Sequence, residues 1–237
     1  MKLAKRYIYP PRPLKDPIPF DKIGIYHQYG WYAMSKYNDK RSELSISDGE
    51  VQLFNRHKSF HKTFTLTDSL RNEIITVCRD ILHLDISKWS YLDGGLLDGK
   101  NKHISGMFVI WDILVREGDW LIGSTYQERY DWLLTKAKAA GNESFFVTIN
   151  EQKFDFGIKL SEHIFIPRFW DTFESCWEFT KLVNAAAGWT SSTDGEAILE
   201  GIVLKNPKGV LKPDCGRPEN NTSWSARSRI CTKRSRF

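Results

Sequence analysis

The sequence has no Cys-x-x-Cys pair and no His-Glu-x-x-His segment. Its four cysteines, Cys78, Cys176, Cys215 and Cys231, are spread along the chain, so a zinc framework of the usual ligand spacing is missing. They read as free thiols of a reducing compartment. The six histidines are equally dispersed. His57 and His61 stand four apart but lack the acidic context of a metal-hydrolase helix. No stretch reaches the ~18 apolar residues of a spanning helix, and the opening MKLAKRYIYPPRP lacks the apolar segment of a signal peptide. A soluble cytoplasmic protein with no membrane partner is expected (host cytoplasm, if the source is viral). Internal repeats and long polar linkers are absent as well. One domain is therefore expected over residues 21–230, after an extended basic lead-in at 1–20 and before a basic tail at 231–237.

Aromatic residues, in contrast, are plentiful. Of 237 residues, 41% are hydrophobic, with nine tryptophans and fourteen phenylalanines, enough to bury a real core. The net charge of +5 and sequence pI of about 8.9 suit a polyanionic partner. Five prolines in PPRPLKDPIP, residues 10–19, make that stretch extended rather than helical.

Periodicity predicts the elements. Residues 42–47 and 50–54 alternate around Asp48-Gly49, a two-residue hairpin signal. Lys36 is expected just upstream, in a polar turn. Leu70, Ile74, Val77, Cys78 and Ile81 follow helical spacing, with Thr67 or Ser69 as the cap. MFVIWDILV (107–115) reads as a buried strand turned back by REGD (116–119). Tyr126, Tyr130, Leu133, Leu134 and Ala137 mark a second helix, and Phe173, Cys176, Trp177 and Thr180 a third. SFFVTIN (144–150), HIFIPRFW (163–170) and AILEGIVLK (197–205) read as strands. Strict alternation on the last puts Glu200, Ile202 and Leu204 on one face and Gly201, Val203 and Lys205 on the other. Strands and helices mix without regular βαβ units, which predicts α+β.

Six fragments stand out in order: KYNDKR (36–41), FNR (54–56), LDGG (92–95), VIWDIL (109–114), EGIVLK (200–205) and WSARSR (224–229). The series resembles the covalent nucleotidyltransferase superfamily of ATP-dependent DNA ligases, RNA ligases and messenger-RNA capping enzymes. The family pattern is KxDGxR, a strand arginine, DGE, an aromatic motif often written FDIL, EGxVxK and a final WxKxK. The resemblance covers residues 20–230, nearly the whole chain.

The resemblance implies an ATP-grasp-like nucleotidyltransferase domain, α+β, of antiparallel sheets flanked by helices. It implies an ATP-dependent polynucleotide ligase that seals nicks in duplex DNA (or RNA) through a lysyl-AMP intermediate. Lys36 falls on the nucleophile and Arg41 on the arginine closing the first motif. Arg56 falls on the strand arginine that contacts nucleotide or nick phosphate. Trp111 replaces the aromatic ring that stacks on adenine, Glu200 falls on a metal-binding carboxylate, and Lys205 on a basic nucleotide contact. Arg227 and Arg229 fall on the paired phosphate-binding lysines. ATP and Mg2+ are the implied cofactors. A lysine attacks phosphorus only as the free amine, so nearby cations or desolvation must favour that form.

The departures from the pattern are as specific as the matches. Asn38 stands where aspartate is usual, Asp39 where glycine is usual, and Gly95 where DGE has its glutamate. Asp93 or Asp98 is the carboxylate expected to make up for Gly95. No OB-fold segment follows Arg229, so the expectation is a lone nucleotidyltransferase domain, or one that borrows the missing surface from an accessory protein. The alternatives are a ligase-like nucleic-acid-binding protein without catalysis, favoured by Asp39 and Gly95, an RNA ligase, or a capping-type guanylyltransferase.

Overall fold

The computed structural model describes residues 8, 17–57, 59–61, 64–97, 103–189 and 197–212, and the backbone alone of 225–229. Asp98, Cys215, Trp224, most of the proline-rich lead-in and the basic tail lie outside the described residues. Two open sheets carry the fold. The smaller joins β1 (Tyr32–Tyr37), β10 (Phe169–Trp170), β11 (Leu199–Lys205) and β12 (Ser225–Arg229) in the order β10-β1-β11-β12. The larger holds β2 (Lys40–Ser47), β3 (Glu50–Asn55), β4 (Ser90–Leu97), β5 (Met107–Arg116), β7 (Ser144–Ile149), β8 (Gln152–Lys159) and β9 (Ile164–Pro167). Its order is β3-β2-β4-β5-β9-β8-β7, with the short β6 (Asp119–Trp120) paired to β5. Among the described residues every pairing is antiparallel except β5 with β9. The expected α+β class is what the chain adopts.

Four α-helices accompany the sheets among the described residues: α1 (Gly24–Gln28), α2 (Asp68–Thr76), α3 (Tyr126–Ala139) and α4 (Phe173–Ala186). None is long and apolar enough to cross a membrane. Thr67, not Ser69, caps α2 by accepting a hydrogen bond from the Leu70 amide. Thr125 and Glu128 close a reciprocal capping box on α3. Beyond α2 the chain widens into a π-turn at Val77–Ile81. The hairpin forms as the sequence predicts, because Asp48 (φ 53°) and Gly49 (φ 72°) both take the left-handed conformation that a two-residue turn demands.

Each apolar face is buried against a different partner. Leu44, Leu92, Ile110 and Ile113 pack the larger sheet on Ile74, Leu133 and Ala137 of α2 and α3. Ala33, Ile202 and Leu204 pack the smaller sheet on Phe173 and Cys176 of α4. Between the sheets lie Tyr37, Val109, Phe156, Phe165 and Leu199.

Two readings need correction. HIFIPRFW is not one strand: it divides into β9 in one sheet and β10 in the other. Pro167 has no N–H to continue a ladder, which ends β9 there. Lys36 is not in a turn but on β1, opposite Gly201 of β11. The turn comes after it. The chain leaves the smaller sheet at Tyr37 and enters the larger at Lys40, so Asn38 and Asp39 form the crossing between sheets.

Candidate active site

That crossing brings the candidate residues together. The backbone amide of buried Asn38 donates to the Ile198 carbonyl (3.2 Å), and its side-chain amide donates to the Ala197 carbonyl (3.3 Å). Asn38 thereby ties the crossing to the residues just before β11.

Lys36 and Glu200 meet because of a β-bulge. Lys36 pairs with Gly201, but Tyr37 pairs with Leu199, leaving Glu200 as the extra residue. A bulge re-aims a side chain that strict alternation would send elsewhere. Glu200 therefore does not share a face with Ile202 and Leu204, as alternation predicts. It turns toward Lys36, and the Nζ donates to its Oε2 at 2.6 Å. Gly201, with φ 143°, supplies the backbone conformation beside the bulge.

Trp111 owes its position to a second bulge. On β5, Asp112 pairs with Asp93 and Ile110 with Gly94, so Trp111 has no partner in the register. Its indole lies across Gly95. A Cβ at Gly95 would stand 2.5 Å from the Trp111 Cη2 and 2.8 Å from Asp39 Oδ2. Glycine at 95 is thus a packing requirement. The preceding Gly94 is tight for the same reason, against the Val109 carbonyl and the Phe108 ring.

Arg41 reaches Asp93 with two parallel hydrogen bonds, Nε to Oδ1 at 2.9 Å and Nη2 to Oδ2 at 2.5 Å, and its guanidinium lies 5.8 Å from the Trp111 ring centre. Burial works against the Arg41 charge, but Asp93 and Glu43 outweigh it and hold its pKa above the ordinary value. Asp93 is itself only 1% exposed and taken up by Arg41. It is therefore not the open carboxylate expected to replace a glutamate at 95. The side chain that occupies that space is Asp39.

A third group sits deeper. Arg129 of α3 donates to both oxygens of Asp112 at 2.8 and 2.9 Å, and each residue is about 1% exposed. The Lys205 Nζ lies 4.8 Å from the Tyr126 ring centre. Burial depresses the Lys205 ammonium to a pKa of about 8, against the pull of Asp93 and Asp112. Asp112 and Arg129 escaped the sequence reading. The available signal was Arg129 itself, a charge three residues after Tyr126 on the apolar face of a helix.

The remaining candidates lie elsewhere or are described in less detail. Arg56 is exposed at the end of β3, where its described hydrogen bond runs to His57 (3.1 Å), not to a member of this group. The backbone of Arg229 stands opposite Gly201, in one row with Lys36, and that of Arg227 opposite Val203.

No family model matches the chain, and no curated protein sequence matches it. Solved structures share the fold. One described as Pmar-Lig_PreS3 aligns with a TM-score of 0.50 over 94% of this chain and 47% of its own, at 15% identity. Chlorella virus DNA ligase-adenylate and the bacteriophage T7 ATP-dependent DNA ligase complexed with ATP give TM-scores of 0.44 and 0.45 at 12% identity. These two alignments cover 87% and 86% of this chain and 64% and 65% of theirs. The chain spans about half the length of the solved chains at the head of the comparison. At such identity the likeness is one of fold.

Proposed function

We propose that the chain is a covalent nucleotidyltransferase of the polynucleotide-ligase kind, with ATP as nucleotide donor and nicked DNA as acceptor. The observation that carries this reading is the Lys36–Glu200 contact at 2.6 Å. One bulge sets a carboxylate on Lys36, a second sets the Trp111 indole beside Arg41, and the sheet crossing puts Asp39 between them, interacting with both Lys36 and Arg41. A lysine kept only for solubility needs none of this.

In the proposed reaction Lys36 first gives up a proton, for which Glu200 is within reach. Its Nζ then forms a P–N bond to the α-phosphorus of ATP. The bond to the bridging oxygen breaks, and pyrophosphate leaves. A 5′-phosphate at the nick attacks the lysyl-AMP and displaces Lys36. The 3′-hydroxyl then attacks that activated phosphate, closes the strand and releases AMP. Lys205 and Arg41 supply positive charge for phosphate oxygens, with Arg227 and Arg229 next in the same sheet, and preorganised charge of this kind lowers the barrier to phosphoryl transfer. Trp111 offers the flat wall on which a purine stacks. Magnesium usually binds through one or two carboxylates plus substrate phosphates. Glu200 fits such a role as one ligand; among the described residues no group of three His, Cys, Asp or Glu side chains stands together, so substrate phosphates would have to complete the shell. When bound, the metal would neutralise the triphosphate.

The direct test is incubation with α-labelled ATP or GTP and magnesium, followed by a denaturing gel. Label from ATP should stay on the protein and be chased off by nicked duplex DNA carrying a 5′-phosphate. Label from GTP instead would indicate a capping-type enzyme. Nucleic-acid binding with no label from either nucleotide would leave the non-catalytic reading.

Lys205 gives this proposal a pH signature. Its ammonium is present below pH about 8 and lost above it, well before that of the usual lysine. ATP affinity should therefore fall as pH rises through about 8, by roughly tenfold, the worth of one charge-assisted hydrogen bond. Lys205→Arg, which stays charged, should flatten the fall. Calorimetric titration at several pH values measures both, and a wild-type profile flat to pH 9.5 would remove Lys205 from phosphate binding.

A further inference from the structure

Asp39 and Gly95 are departures of opposite kind: an acid where the family pattern has glycine, and a glycine where it has an acid. In the sequence they are unrelated. In the fold they touch. Arg41 pairs with Gly95 across β2 and β4, and the Oδ2 of Asp39 stands 2.8 Å from the Cβ that Gly95 lacks. The Asp39 carboxylate and the Trp111 ring together fill the space from which a side chain at 95 would start. We infer that the two departures are one reciprocal exchange, and that Asp39 is the carboxylate that accepts hydrogen bonds from the sugar hydroxyls of the nucleotide. This rests on the function proposed above.

The reasoning is geometric. A nucleotide whose α-phosphate meets Lys36 and whose purine stacks on Trp111 must run its sugar between those two groups. The hydrogen-bond donors on that span are the sugar hydroxyls. Asp39 lies on the same span: it follows Lys36 by three residues, interacts electrostatically with Lys36, Arg41 and Glu200, and its carboxylate abuts the edge that Trp111 shares with Gly95. A carboxylate accepts hydrogen bonds from a vicinal diol and donates none when ionised. Asp39 is half-buried, so one side of it is open to a ligand. Desolvation pushes its pKa up to about 6, against the lowering effects of Lys36 and Arg41. Burial thus works against its ionised form, and ligand hydroxyls donating to it would offset that cost. The exchange also ties the two changes to each other. An acid at 95 would collide with Asp39 and Trp111, and glycine at 39 would leave the site with no acid at this point.

The experiment is equilibrium binding of ATP and of 2′-deoxy-ATP by calorimetry, on the wild type and on Asp39→Asn, with thermal melting to confirm the fold. The wild type should prefer ATP by about tenfold or more, the scale of a hydrogen bond to a charged group. In Asp39→Asn the preference should shrink toward twofold, with most of the loss on ATP. Asp39→Glu, which keeps a carboxylate at this point, should retain more of the preference than Asp39→Asn. An Asp39→Asn variant that keeps the wild-type ratio, or a wild type with no preference, would each overturn the assignment. The two proposals fail separately. A wild type that Lys36 labels with AMP, but whose ratio Asp39→Asn leaves unchanged, refutes only the role of Asp39. A wild type that prefers ATP through Asp39 yet forms no lysyl-AMP refutes only the ligase chemistry. A wild type that binds no ATP refutes both.

Discussion

Lys36→Arg is expected to abolish covalent labelling by ATP completely while leaving the protein folded. Arginine keeps the positive charge that Glu200 faces, but a guanidinium is not deprotonated in proteins and has no free amine with which to attack phosphorus. Lys36→Ala should abolish labelling equally, with a stability cost that its position on β1 makes unavoidable. The Lys36 and Glu200 side chains are only 16% and 8% exposed, so removing the lysine deprives a largely buried carboxylate of the ammonium that donates to it. Such a loss costs about 1–3 kcal/mol, readable as a lower urea midpoint. Lys36→Ala/Glu200→Gln should recover part of it, because the stranded charge is gone. The two readouts separate chemistry from structure: the Arg variant moves only the label, and the Ala variant moves both. Label retained by either one would mean that the nucleophile is another residue.

Much of the scaffold was legible because its local signals agree with the tertiary demand. Asp48-Gly49 sits between two alternating runs and specifies a hairpin. Thr125 and Thr172 precede apolar helical spacing and cap α3 and α4. The site was legible only as a list of residues, because its geometry comes from exceptions to periodicity. Glu200 and Trp111 are both bulge residues, and a bulge leaves no mark in a period of two. The strand β4 was missed as a strand for a related reason. LDGG contains two glycines, which weaken a strand signal, yet here they are glycines because Phe108, Val109 and Trp111 press against them. The strand β8 runs unbroken through Gly157 at φ 141°, a glycine that weakens its signal in the same way. Asp39 is the sharpest instance. Read along the chain it counts against activity, since it replaces a residue valued for its lack of a side chain. Read across β2 and β4 it is the counterpart of Gly95. A pairwise exchange between residues 56 positions apart is visible only when the register is known.

Asp112→Ala should be the most destabilising single change in the candidate site. Asp112 and Arg129 are each about 1% exposed and joined by two parallel hydrogen bonds, at 2.8 and 2.9 Å. Arg129 also donates to the Ser124 carbonyl at 2.7 Å, which fixes the guanidinium where it is. Without Asp112 that buried cation loses the carboxylate that accepts two of its hydrogen bonds. Breaking a pair of this kind costs about 3–5 kcal/mol, which in a chain of this size lowers Tm by roughly 10 °C. Much of the cost is the stranded charge rather than the lost attraction, so Asp112→Leu/Arg129→Met should be considerably more stable than Asp112→Ala. The effect should also reach the nucleotide. Asp112 is one of the two carboxylates that support the Lys205 ammonium against desolvation. Removing it must move the Lys205 pKa further down, so the ammonium is lost at lower pH. In the double variant the loss of Arg129, which lowers that pKa, works against the loss of Asp112, which raises it; Asp112 is the larger of the two, so the fall of ATP affinity with pH should still begin somewhat below the wild-type midpoint of about 8. Melting curves and calorimetric titrations on the same two variants decide both points. A single variant as stable as the double would mean that Arg129 finds another partner. An unshifted pH midpoint would mean that Asp112 does not outweigh Arg129 at Lys205.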